Sequence, residues 1–222
     1  MSKDQWTAVD RYLVETLVPT DSALEAALRT SAEHGLPAIN VAPNQGKLLH
    51  LLALAMGAKN ILEIGTLGGY STIWLARALP AGGKLITLEA DAKHATVAQS
   101  NIARAGLPNV VELILGRAID TLPKLAHDRR GPFDLTFIDA DKVSAADYFA
   151  WALKLSRNGS VIVVDNVVRE GNVIDGASND VSVQGVRSLL EMMANEPRVT
   201  ATALQTVGAK GYDGFAVAVV TS

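Results

Sequence analysis

Cysteine is absent from this chain. That excludes a disulfide scaffold, thiolate zinc sites, iron–sulfur ligation and cysteine nucleophiles. Aromatic residues make up only 5%, few for a surface that stacks single-stranded bases. Positive charge is not in excess. The net charge is −3 and the pI about 5.8, so no bulk field draws the chain to nucleic acid or anionic lipid. No apolar run reaches the ~18–20 residues that a membrane span needs. The opening MSKDQWTAVDRYL carries charge early and has no apolar stretch, so we expect no secretory signal and take the cytoplasm as the default setting. What the chain does have is 49% hydrophobic against 19% charged residues, which excludes disorder. Its 222 residues suit one domain: N-terminal helices over 1–57, then a core over 58–222.

The pattern alternates short β-rich runs with longer helical ones. Residues 4–17, 22–34 and 44–56 read as helices. Asp21-Ser22 is a cap signal for the second, and Gly35 with Pro37 ends it. Then come five apolar strands: 60–65 (NILEIG), 84–89 (KLITLE), 110–116 (VVELILG), 133–139 (FDLTFID) and 160–166 (SVIVVDN). Helical stretches lie between them at 69–79, 92–106, 118–128 and 144–157, and another covers 180–195. Near-continuous apolar strands joined by helices predict a parallel sheet covered on both faces. Two last strands, 201–207 and 214–220, are joined by 208–213. That connection is too short for a crossover, so the pair should be antiparallel. The expected fold is α/β: a mostly parallel seven-stranded sheet with one reversed strand. The polar stretch 169–180 (REGNVIDGASND) follows a strand's C-terminal end, where open α/β sheets bind ligands, and is a candidate lid.

Glu63-Ile64-Gly65-Thr66-Leu67-Gly68-Gly69-Tyr70-Ser71 joins the first of these strands to a helix. Glycines here permit a tight turn and close approach of a ligand to backbone. The dinucleotide pattern GxGxxG would need glycine where Leu67 stands, which argues against a nicotinamide oxidoreductase. Glu63 would repel a pyrophosphate and suit a ligand with a positive centre. Glu89 closes the second strand, where an acid accepts hydrogen bonds from a ribose diol. The bland alternative is that the glycines only pack helix on strand and Glu89 caps the helix that starts near Asp91. The combined reading is a nucleoside with a ribose and a positive charge but no diphosphate, which S-adenosylmethionine satisfies.

Asp139-Ala140-Asp141-Lys142 ends the fourth strand, and Asp165-Asn166 the fifth. Were these strands neighbours, Asp139, Asp165 and Asn166 would converge. Two carboxylates and an amide oxygen are hard ligands that suit Mg²⁺, with Mn²⁺ or Ca²⁺ also acceptable. None of the four histidines, His34, His50, His94 and His127, stands near these strand ends, so zinc is not expected. A lysine beside a cation in a partly dry cleft can act as a base, and Lys142 holds that place. The alternative is that the aspartates cap helices and Lys142 is solvated.

In order, ILEIGTLGGYSTIWLA, ITLEAD, GRA, FIDADK, VVDN and YDGFAVAVV resemble the cation-dependent, S-adenosylmethionine-dependent O-methyltransferases, the group that includes catechol and caffeoyl-CoA O-methyltransferases. The resemblance spans about residues 38–220. It implies a Rossmann-like class I methyltransferase fold. It implies that Glu63, Gly65, Thr66 and Ser71 meet the methionine end of the cofactor and that Glu89 holds the ribose. It places Ala118 at the adenine, Asp141 and Asp139 near the cofactor, and Val41 over it from the N-terminal side. Asp139, Asp165 and Asn166 match the metal ligands, and Lys142 the general base. The implied acceptor is a small phenolic vicinal diol, and the implied assembly a homodimer. Asn40 departs from the methionine frequent before Val41, and no insertion of the kind that would hold coenzyme A is evident. Rival readings are a metal-independent small-molecule methyltransferase and a cofactor-binding module without activity. The apolar residues of the helices over 4–34, such as Trp6, Val9, Tyr12, Leu13, Leu17, Leu24 and Leu28, are expected to cover the pocket or to meet a second subunit, the alternative being that they pack on their own sheet.

Overall fold

The computed structural model describes residues 2–222. Seven strands form one sheet in the order β3-β2-β1-β4-β5-β7-β6. They are β1 (Asn60–Ile64), β2 (Lys84–Glu89), β3 (Val111–Leu115), β4 (Phe133–Ile138), β5 (Ser156–Asp165), β6 (Val199–Gly208) and β7 (Gly211–Val220). The first five pair in parallel. Strand β7 runs antiparallel to both β5 and β6, so it is the one reversed strand. The chain leaves β1 toward β2 on one side, and β4 lies on the other. That reversal opens a crevice at the C-terminal ends of β1 and β4.

Side chains alternate across the sheet, as the period of two requires. Ile61, Leu85, Leu135, Phe137 and Val163 face one layer of helices. It comprises α2 (Ser22–Glu33), α3 (Pro43–Ala55), α4 (Tyr70–Ala76) and α5 (Ala92–Arg104). Leu62, Ile64, Ile86, Leu88, Ile138, Ile162 and Val164 face the other. That layer holds α6 (Ala118–His127), α7 (Ala145–Lys154) and α8 (Val181–Asn195). Both faces are covered, which is why these strands read as continuous apolar runs.

The N-terminal helices divide in role. Asp21 caps α2 by accepting the Ala23 and Leu24 N–H groups, 3.0 Å each, and its other oxygen takes Arg77 Nη1 at 2.6 Å. One carboxylate thus starts α2 and ties it to the end of α4. Helix α1 (Lys3–Leu17) has no buried residue. Asp10 holds it in place, accepting from Asn44 Nδ2 at 2.9 Å and from the Ala209 N–H in the β6–β7 turn at 2.7 Å.

Three expectations shift. Strand β5 begins at Ser156, ahead of the expected 160, with an irregularity in its pairing to β4. Polar Arg157-Asn158-Gly159 masked that start. The final hairpin pairs as far as Gly208 and Gly211, so its loop is shorter than 208–213. The polar stretch 169–180 is not a free flap. Its first half coils over Arg169–Ile174, and Arg187 of α8 donates to the Val173 carbonyl at 2.8 Å.

Candidate active site

Strand β1 runs into Gly65 at φ +98°, where an added Cβ would lie 2.0 Å from the Asp139 carbonyl oxygen. Only glycine lets the ends of β1 and β4 come this close. Leu67 also takes a left-handed backbone, φ +50°, at a cost of about 1–2 kcal/mol for a residue with a Cβ. Its N–H is held by Glu89 Oε2 at 2.8 Å. The same carboxylate accepts from the Thr66 N–H at 3.3 Å and the Asp91 N–H at 2.9 Å. Glu89 therefore braces the glycine turn. It does not cap α5; Asp91 does, accepting from the Lys93 and His94 N–H groups.

Glu63 is fully buried and does not line the cavity. It was expected at the methionine end of the cofactor, and it reaches the cavity wall through Ser71. On β1 it shares the parity of Ile61, so the pleat turns it inward under α4. Ser71 Oγ donates to its Oε1 at 2.6 Å, and Thr72 and Thr87 donate to Oε2. Burial pushes the Glu63 carboxyl up to about 7 against those three hydroxyls, which lower it, and the Asp139 charge adds to the rise.

Strands β4 and β5 are neighbours, so Asp139, Asp165 and Asn166 stand at adjacent strand ends. Lys142 is buried, with Nζ 3.2 Å from Asp139 Oδ1. Asp165 accepts from the Asn166 N–H at 2.8 Å and from Gln45 Nε2 on α3 at 2.7 Å. Burial, and then the Asp139 charge, push the Asp165 carboxyl well above the usual carboxylate range. Asn166 sits at φ +56°, a strained backbone held at the strand end. Among the described residues no three His, Cys, Asp or Glu side chains converge, so a third ligand would come from the Asn166 amide. The set fits a hard divalent cation, whose charge would relieve the repulsion that raises Asp165.

A cavity of about 700 Å³ opens over these strand ends, and Val41, Gly65, Thr66, Ser71, Glu89, Ala118, Asp139, Asp141, Lys142 and Asn166 line it. Asp165 lies behind the wall with Glu63. Asp141 accepts from the Ser144 N–H at 2.9 Å and from Tyr148 Oη. Burial raises the Asp141 carboxyl, but these bonds outweigh it and hold the group below the usual range. Tyr148 is pushed up to about 12 by burial and by Asp141.

A glycine turn at the switch point, a braced acid after β2 and acids ending two adjacent strands agree with comparison to known proteins. Residues 15–215 match the O-methyltransferase family. A protein of Niastella koreensis named catechol O-methyltransferase is 55% identical over 220 residues, 99% of this chain and 100% of its own. The crystal structure of an O-methyltransferase from Bacillus cereus in complex with SAH is 59% identical. It superposes with a TM-score of 0.98 over 99% of this chain and 100% of that one. The O-methyltransferase TomG from Streptomyces achromogenes, involved in tomaymycin synthesis and solved with SAM, is 52% identical with a TM-score of 0.97 over 100% of both chains.

The chain belongs to the O-methyltransferase family. In this O-methyltransferase several wall residues escaped the sequence reading. Ser31 of α2, and Pro37 and Ile39 after it, cover the cavity beside Leu28, which was expected to cover the pocket or to meet a second subunit. Their signal was only a helix followed by a proline loop. Helix α1 contributes nothing to the wall. Tyr148 and Arg169 also line it, and of the stretch 169–180 only Arg169 does. Gln45 could not be found, since nothing local marks a partner 120 positions away.

Proposed function

We propose that this S-adenosylmethionine-dependent O-methyltransferase methylates one hydroxyl of a small aromatic vicinal diol and requires a divalent cation. The observation that carries this is the cluster of Asp139, Asp165 and Asn166 at two adjacent strand ends, with Lys142 Nζ 3.2 Å from Asp139. When bound, the donor supplies a sulfonium methyl, and a cation at Asp139, Asp165 and Asn166 supplies charge that lowers the acceptor hydroxyl's pKa. Mg²⁺ is the first choice; Mn²⁺ and Ca²⁺ suit the same oxygens.

The chain's own residues do the rest. Lys142 receives the hydroxyl proton at Nζ. Gly65 and Thr66 bring backbone close to the donor, Glu89 offers its carboxylate to the ribose, and Asp141 and Ala118 complete that wall. Leu28 and Ile39 exclude water. Positioning two reactants in this way can remove several kcal/mol of a bimolecular barrier. The names and titles of the relatives support the donor and the acceptor class.

The Lys142–Asp139 pair also favours a second reading. It neutralises one carboxylate by itself, as a metal-independent enzyme would need. Chelation decides between the two. Methyl transfer from labelled S-adenosylmethionine to a panel of catechols should vanish with chelator and return with Mg²⁺. Asp139→Asn should abolish it while the protein stays folded. Transfer indifferent to chelator removes the cation and keeps the methyltransferase.

The same proposal treats residues 1–222 as one methyltransferase unit in a cytoplasmic homodimer. Tyr12 and Leu17 of α1, 67% and 66% exposed, give α1 an apolar surface for a second copy. Among the described residues no helix is long and apolar enough to cross a membrane.

A further inference from the structure

We propose that Arg169 binds an anionic substituent of the acceptor, so that this enzyme selects a carboxylated catechol over a neutral one. The inference rests on the acceptor reading above and narrows it.

Arg169 stands three residues beyond Asn166 and lines the same cavity as Asn166 and Lys142. Its backbone is held in an uncommon state. Asn166, Arg169 and Glu170 all have φ near +56°, where a side chain is disfavoured. Such strain persists where the surroundings enforce it, and it concentrates at ligand sites. Here Asp213 on β7 enforces it. One oxygen, Oδ1, accepts the N–H groups of both Val168 and Arg169 at 3.0 Å.

The guanidinium placed this way is incompletely satisfied. Its Nε is buried and has no hydrogen-bond partner among the described residues. Its Nη1 is 4.0 Å from Asp213 Oδ2, beyond hydrogen-bond range. An arginine is always charged and presents a planar fork that matches a carboxylate. A buried donor without a partner is costly, and a ligand carboxylate would remove that cost. Lys142 is assigned to the acceptor hydroxyl, with its Nζ 3.2 Å from Asp139 Oδ1. The neutral diol would meet the hard oxygen cluster, and the carboxylate would meet Arg169.

The test compares 3,4-dihydroxybenzoate with its primary amide, a neutral molecule of nearly the same shape. Both are assayed for kcat/KM with the wild type, R169Q and R169K. A charge-assisted pair predicts a preference for the acid of about ten- to a hundredfold in the wild type. The ratio should fall toward one in R169Q, through KM, and take an intermediate value in R169K. Equal use of acid and amide by the wild type overturns the proposal. So does a ratio that R169Q leaves unchanged, or an R169Q effect confined to the donor's KM, which would give the arginine to the donor carboxylate. Calorimetric affinities for the same acid and amide read Arg169 even where no methyl moves. A wild type that methylates no catechol yet binds the acid tightly through Arg169 would refute the reaction and keep this site.

Discussion

Gly65→Ala should cost the fold several kcal/mol and strike the site at the same time. The new Cβ would lie 2.0 Å from the Asp139 carbonyl oxygen and 2.8 Å from its carbon, against ~3.5 Å for ordinary contact. The obstacle is backbone, so no rotamer relieves it. The ends of β1 and β4 would have to part by more than ~1 Å. That would strain the bond from the Asp139 N–H to the Ile64 carbonyl, 2.9 Å, worth about 1 kcal/mol. Overpacking adds about 1–3 kcal/mol, and alanine at φ +98° about 1–2 kcal/mol more. The less flexible unfolded chain offsets about 0.4–1 kcal/mol of this loss. The net is a loss of about 2–6 kcal/mol, a large part of the ~5–15 kcal/mol of a typical domain. Urea unfolding, with the slope held fixed, reads it directly. Activity of the folded fraction should fall as well, because Asp139 moves with its carbonyl. A loss under about 1 kcal/mol would show that β1 and β4 separate freely, and the close approach would not be the reason for the glycine.

Two further outcomes follow from buried partners. Glu63 has its carboxyl raised from 4.5 to about 7, so the folded state holds a proton that the unfolded chain releases. Its contribution to stability is therefore complete below about 4.5 and is lost as pH rises to about 7. Without divalent cation, Glu63→Gln should gain on the wild type across that window by a few kcal/mol, at ~1.4 kcal/mol per tenfold. Parallel urea-stability curves from pH 4.5 to 8 would contradict the assignment. Gln45→Leu removes the amide that holds Asp165 Oδ2 at 2.7 Å. Partners of this kind affect metal affinity by about 10–100-fold, so Mn²⁺ titration of the free enzyme followed by EPR should show weaker binding. Unchanged affinity would make Gln45 a packing residue.

Much of this protein is legible locally. Apolar strands running into glycine or acid, separated by helical stretches, define a parallel sheet because both its faces are covered. A short last loop defines the reversed strand. Asp139, Lys142, Asp165 and Asn166 were visible because each ends or follows a strand, and strand ends are where such folds bind. The parity of Glu63 with Ile61 was also there to be read, and it places the acid inside, behind the cavity. Other features had no local mark. Gln45 reaches Asp165 only because α3 crosses the end of β5. Asp213 fixes Arg169 only because β7 lies beside β5. Glu89 braces the turn of Thr66 and Leu67 only because β2 ends beside β1. Sequence alone determined the elements and the chemistry at their ends, since those follow from periodicity and residue type. Which side chains then hold one another was decided by tertiary structure, because those bonds join residues that only the crossovers bring together.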